Sequence, residues 1–142
     1  MTINAKEQAS FSIANAFDGV EIVNADFKAQ TFSKHVHESY TVGVIEHGAQ
    51  RFYRSGNTHV ANTNSIILVN ADDVHTGESA TPDGWKYRAM YPLVEHFESI
   101  SYDLYDDKSF APYFDSAVIN VLIEFSANSF ALSDSSSFLE DN

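Results

Sequence analysis

Two histidines spaced i, i+2, His35 and His37, would project from one face of a strand, because successive side chains of an extended chain alternate sides. A third, His75, follows the apolar run 65–69 after Asn70-Ala71-Asp72-Asp73-Val74, where a neighbouring strand could carry it to the pair. Three imidazoles converging on one side of a small β-structure could hold Zn, Fe or Ni without any thiolate. A fourth ligand would have to come from a carboxylate, another histidine or water. Glu38 and Glu46 both fall on the face opposite His37 by simple alternation, so neither is a good donor. His-x-His alone is a weak motif, and strand-end histidines often hydrogen-bond carbonyls and pack on aromatics such as Tyr40. The expectation is that no metal or other cofactor is bound, with His35, His37 and His75 the candidate ligands should one be. His47, His59 and His96 share no spacing and read as surface or pocket residues.

Other chemistries find less support. There is no Gly-x-Ser-x-Gly elbow, no His-Glu-x-x-His and no glycine-rich phosphate loop. The 142 residues contain no cysteine, which removes thiol nucleophiles, disulfides and zinc ribbons together. A content of 44% hydrophobic and 13% aromatic residues is enough for a real core, and the length suits one domain. No apolar run approaches the ~20 residues that span a bilayer, and residues 1–8 lack the order of a secretory signal. A cytoplasmic protein with no membrane partner is expected. Eight Lys+Arg stand against 20 Asp+Glu, and residues 93–142 hold ten of those acids with only Lys108 opposing them. Such a surface repels phosphate, so direct nucleic-acid binding by this chain is not expected.

From about residue 20 to residue 92, short alternating segments are separated by turn residues, the pattern of an all-β sandwich or barrel. Val20 and Ile22 begin it, and Phe27, Ala29 and Thr31 would share one strand face. Tyr40, Val42 and Val44 would share another. Residues 50–54 alternate and turn at Ser55-Gly56-Asn57, and 65–69 is a continuous apolar run suited to a strand covered on both sides. After Pro82-Asp83-Gly84, Trp85, Tyr87, Ala89 and Tyr91 would face one way and Lys86, Arg88 and Met90 the other. Past Pro92 the period becomes helical, with Leu93, Val94, Phe97 and Ile100 as a stripe. Residues 101–116 read as loop, and Val118, Leu122 and Phe125 suggest a second helix over about 117–132. Ser137-Phe138-Leu139-Glu140 has capping-box spacing only one turn before the last residue, as if another helix were just beginning.

The segments His35-Val36-His37-Glu38-Ser39-Tyr40, Leu68-Val69-Asn70-Ala71-Asp72-Asp73-Val74-His75 and Gly84-Trp85-Lys86-Tyr87-Arg88-Ala89-Met90-Tyr91-Pro92 together resemble the N-terminal effector-binding domain of AraC-type transcription regulators. The likeness covers about residues 17–125. It implies a mainly β fold, a cupin-like double-stranded β-helix or jelly-roll barrel followed by C-terminal helices. It further implies a barrel that binds a small effector, helices that pair two subunits, and a separate helix-turn-helix domain that binds DNA. Metal-binding cupins usually carry a Glu a few residues after His-x-His, where this chain has Tyr40-Thr41-Val42. Ala71 stands where a proline is frequent.

The resulting division is an arm over 1–16, a cupin-like sensor barrel over 17–92 and a helical dimerisation segment over 93–142. A DNA-binding domain would lie beyond Asn142. The function expected is effector sensing and homodimerisation without catalysis, the effector being a sugar or another metabolite. Its lining would be His37, Tyr40, His75, Trp85, Tyr87 and Ala89, with Phe11 and Ile13 of the arm able to close over it. The competing expectation is a stand-alone metal-binding cupin, a dioxygenase or isomerase, using His35, His37 and His75.

Overall fold

A computed structural model describes residues 7–106 and 110–120. Nine strands are described: β1 Gln8–Ala14, β2 Val20–Phe27, β3 Phe32–His35, β4 Thr41–Arg54, β5 Asn57–Asn62, β6 Ser65–Val69, β7 His75–Ser79, β8 Trp85–Tyr91 and β9 Val118–Asn120. One α-helix, α1 Val94–Tyr105, and a 3-10 turn at Asn15–Phe17 complete the described elements. One sheet runs β1-β2-β8-β4-β6-β9, and β3-β7-β4-β5 forms the facing one. All pairings are antiparallel.

The 14-residue β4 belongs to both sheets. Its first part pairs with β6 and β8, and its last part with β5 and β7. The switch occurs where the β8 register slips between Ile45 and His47, an extra residue that bends a strand and sharpens its twist. Beyond it, Ser55 and Gly56 both take positive φ, at 51° and 85°, the two-residue turn whose twist suits a hairpin. Near the bend, Gly84 sits at φ 88°, and a Cβ there would collide with the Phe27 carbonyl oxygen.

The apolar core lies between the sheets. Val23, Ala25 and Phe27 of β2 pack with Ile45 and Phe52 of β4, Ala61, Ile67 and Trp85. Phe27 bridges the layers, its ring 5.5 Å from both Trp85 and Phe32. Trp85 is 1% exposed, and Ala89 is buried with it, so the expected inward face of β8 is the observed one. Lys86 and Arg88 point outward, where both pair with Glu46, at 3.7 and 3.0 Å.

Several local expectations are corrected. β2 ends at Phe27; Ala29 and Thr31 are exposed in a turn, where the Glu7 carboxylate accepts the backbone N–H groups of Lys28 and Ala29. On β4, Thr41, Gly43 and Ile45 are buried while Val42 and Val44 are only half-covered, the opposite phase from the one expected. Space decides this. A Cβ on Gly43 would meet Ile67 at 3.2 Å and Ala89 at 3.3 Å, so the glycine lies on the crowded inner face and the valines on the outer. The helix stripe also fails, since Leu93 and Ile100 are exposed and the buried helix residue is Ser101. Helix α1 continues through 101–105, which had read as loop, and ends at Asp106 in the left-handed region, its N–H donated to the Tyr102 carbonyl. Val118–Asn120 forms a strand on β6 in place of the start of a helix; residues 121–132 of that expected helix lie outside the described residues. An exposed strand edge beside β-branched residues outweighs a weak helical period.

The barrel is open rather than closed. Among the described residues β1 pairs with β2 alone and ends one sheet. The expected arm is therefore, over residues 8–14, an edge strand. Among the described residues no helix is long and apolar enough to cross a membrane.

Candidate functional site

A cavity of about 510 Å³ lies between the sheets, bounded by β1, β2, β4, β6 and β8 on one side and β3 and β7 on the other. Alternation explains which side chains reach it. Positions 21, 23 and 27 of β2 and positions 87 and 91 of β8 share the inner face, so Glu21, Val23, Phe27, Tyr87 and Tyr91 line the hollow. Register places Glu21 directly opposite Tyr91, and Phe11 of β1 opposite Val23. Burial raises the phenolic pKa values of both Tyr87 and Tyr91. Their rings flank Ala89, which lies between them in sequence and does not reach the cavity.

At one end the three histidines come together as their spacing suggested. His35 is directly opposite His75 in the β3–β7 ladder, and the ring centroids are 4.2 Å apart. His37 lies 4.8 Å from His35 and 5.1 Å from His75. The ligand atoms of the three are all within 4.8 Å of one another. Two rings are held by backbone carbonyls: His35 Nδ1 at 2.6 Å from the Ser33 oxygen and His75 Nδ1 at 2.9 Å from the Asp73 oxygen. A carbonyl can only accept, so each Nδ1 carries the proton and a neutral ring keeps its lone pair at Nε2. Desolvation by burial lowers the pKa of His75 most, the neighbouring imidazoles adding to it. Desolvation also lowers that of His37, with His35 helping and Glu21 opposing.

Of the residues expected to line an effector site, His37, His75 and Tyr87 line this cavity, and Tyr40, Trp85 and Ala89 do not. Trp85 is instead core. Tyr40 faces away from the cavity: its hydroxyl donates to the Pro112 carbonyl at 2.7 Å, and its ring meets Phe97 and Phe114 edge-on. It fastens α1 and the returning segment 110–117 to the β-structure. Sequence reading missed Glu21, Thr41, Gln50 and Phe32, all in the lining. It also missed what holds His75. Arg54, 2% exposed, lies 3.5 Å from the Asp73 carboxylate and donates to the Phe114 carbonyl. Asn70 bonds the same carboxylate and closes a reciprocal pair with the Phe114 backbone. A signal for Glu21 existed in its odd-numbered phase with Val23 and Phe27; no sequence signal points to Arg54.

With this geometry in place, comparison with known proteins decides the family. Residues 19–137 match the AraC-like ligand binding domain. The chain belongs to that family. Solved structures agree on the fold of this AraC-like domain. A cupin 2 conserved barrel protein from Salinispora arenicola superposes with TM-score 0.55 at 12% identity, over 68% of this chain and 84% of that one. A cupin superfamily protein from Desulfitobacterium hafniense gives TM-score 0.52 at 17% identity, over 64% and 84%. A conserved protein with a double-stranded β-helix domain from Klebsiella pneumoniae gives 0.52 at 14%, over 65% and 81%. No curated protein sequence matches the chain.

Proposed function

We propose that this AraC-like domain is the effector-sensing and dimerisation module of a cytoplasmic transcriptional regulator, with the helix-turn-helix domain following Asn142. The observation that carries the reading is the cavity itself: a hollow lined from both sheets in a chain of this ligand-binding family. A small effector touching both walls and Phe11 would favour one arrangement of sheets and edge strand over another, and that differential affinity is all a ligand needs to shift an equilibrium. The partner subunit would be met through residues 93–142, and DNA through the following domain alone. No catalytic step is assigned. The test is a thermal-shift screen of small metabolites. A true effector raises the melting temperature with its concentration, and enlarging Val23 to Phe in the cavity wall abolishes the shift. A complete lack of stabilising compounds sinks the reading.

A second reading has one observation in its favour, the convergence of His35, His37 and His75. Their donor set, with two Nε2 lone pairs left free, suits a first-row divalent metal. Such an ion would supply Lewis-acid or redox chemistry, making the domain a metal-binding cupin. The fit is imperfect. A tetrahedral zinc with ~2.0–2.1 Å bonds needs its nitrogens roughly 3.4 Å apart, so a trio reaching 4.8 Å would have to contract. Elemental analysis separates the readings.

A further inference from the structure

The polar groups of the cavity are unevenly matched. Among its 20 described lining residues Glu21 is the only one with a formal charge, and none is Lys or Arg. All six described basic side chains are engaged elsewhere. Lys86 and Arg88 pair with Glu46 on the outer face, and Arg51 with Glu78. Arg54 is turned to Asp73 and Phe114; Lys28 donates to the Asp83 carbonyl, and Lys34 lies 4.6 Å above the Tyr53 ring.

Two lining residues also hold a buried side-chain oxygen without any hydrogen-bond partner, Gln50 Oε1 and Thr41 Oγ1, the residues being 8% and 7% exposed. An amide oxygen only accepts, and a carboxylate only accepts. Buried polar atoms left unpaired are costly, so these positions point to a ligand that completes them. Glu21 and Thr41 belong to the six-stranded sheet, and Gln50 to the part of β4 paired with β5 and β7. Residues carrying acceptors thus line the hollow from both walls, together with the aromatic residues Phe32, Phe52, Tyr87 and Tyr91.

We propose that the ligand of this cavity is an organic ammonium cation on an apolar body, its N–H groups directed to Glu21 and to Gln50 Oε1. The proposal rests on the effector-binding reading and deepens it. A carboxylate or phosphate ligand would meet the Glu21 charge with no cation to offset it. A neutral polyol would leave that carboxylate without a charged partner. Ammonium groups bring donors only, and aromatic faces attract them. The chain's net charge of −12 favours cations over anions as ligands.

The experiment uses the 142-residue chain at pH 8 with EDTA, which strips divalent metals. Linear alkyl, benzyl, phenethyl and indolylethyl bodies are each presented as ammonium, alcohol and carboxylate, and affinity is read by thermal shift and calorimetry. The expected result is stabilisation by ammonium members alone. Glu21→Gln should weaken their binding about 10-fold or more, while Glu21→Asp retains most of it. Because Glu21 is exposed, both variants should fold as the parent does. Stabilisation confined to alcohols or carboxylates overturns the proposal and leaves the sensor reading intact. An ammonium affinity unchanged in Glu21→Gln overturns it as well. Failure of every body, followed by failure of a general metabolite screen, removes both.

Discussion

The two flanks of the cavity are built on different principles. On the β4–β6–β9 side, the segment 110–117 returns across the sheet and is fastened by Arg54, Asn70, Asp73 and Tyr40 through buried hydrogen bonds. On the β1 side, the described sheet ends in an edge strand whose side chains are nearly all exposed, with Phe11 at 68% and Ile13 at 56%. On the fastened side, removing Asp73 or Asn70 strands a partner away from water. The open side has little to lose in the free protein. This asymmetry gives a rigid wall that holds the histidines and a soft one able to respond to whatever fills the hollow.

The sharpest way to break the comparison is at Asp73. Asp73→Ala removes the carboxylate beside the buried Arg54 guanidinium and the Asn70 amide, and should cost about 3–5 kcal/mol in denaturant unfolding. A cost near that of a surface change would show that the fastened wall is not held as described.

A shallower effect is expected from pH at the point where β3 meets β7. Both His37 and His75 have folded-state pKa values below the ordinary 6.5. The unfolded chain therefore takes up their protons first as pH falls. Their contribution is intact above 6.5 and is lost as pH drops from there to below the folded values, so stability should rise with pH across that window. His75→Gln should flatten the slope in melting temperature measured with EDTA present.

The smallest effect belongs to the open wall. Phe11→Ser should change the free protein's stability by no more than about 0.5 kcal/mol, because the ring is mostly solvated already. The same change should weaken effector binding, because Phe11 lines the cavity. Denaturation midpoints with and without ligand check both halves.

Much of the β-structure was legible because period-two alternation is a local property. Trp85, Tyr87, Ala89 and Tyr91 face inward as their spacing requires, and the i, i+2 histidines meet His75. What misled was where locality ended. Val42 and Val44 look like core residues until Ile67 and Ala89 crowd the position of Gly43. Val118 fits a helical stripe until the edge of β6 offers it hydrogen bonds. Tyr40, chosen for the site by its nearness in sequence to His37, is turned to the other side of the sheet by Pro112 and Phe114.

By itself, then, the order of residues determined the β class, the inward face of β8, the histidine trio and the absence of thiol chemistry, since each follows from side-chain identity and alternation. Only the folded chain decided that the barrel stays open, that Glu21 is the one charged residue in the described lining, and that Arg54 supports His75 through Asp73. Those facts depend on contacts between residues dozens of positions apart, and no local periodicity encodes which distant side chain will occupy the space beside a given one.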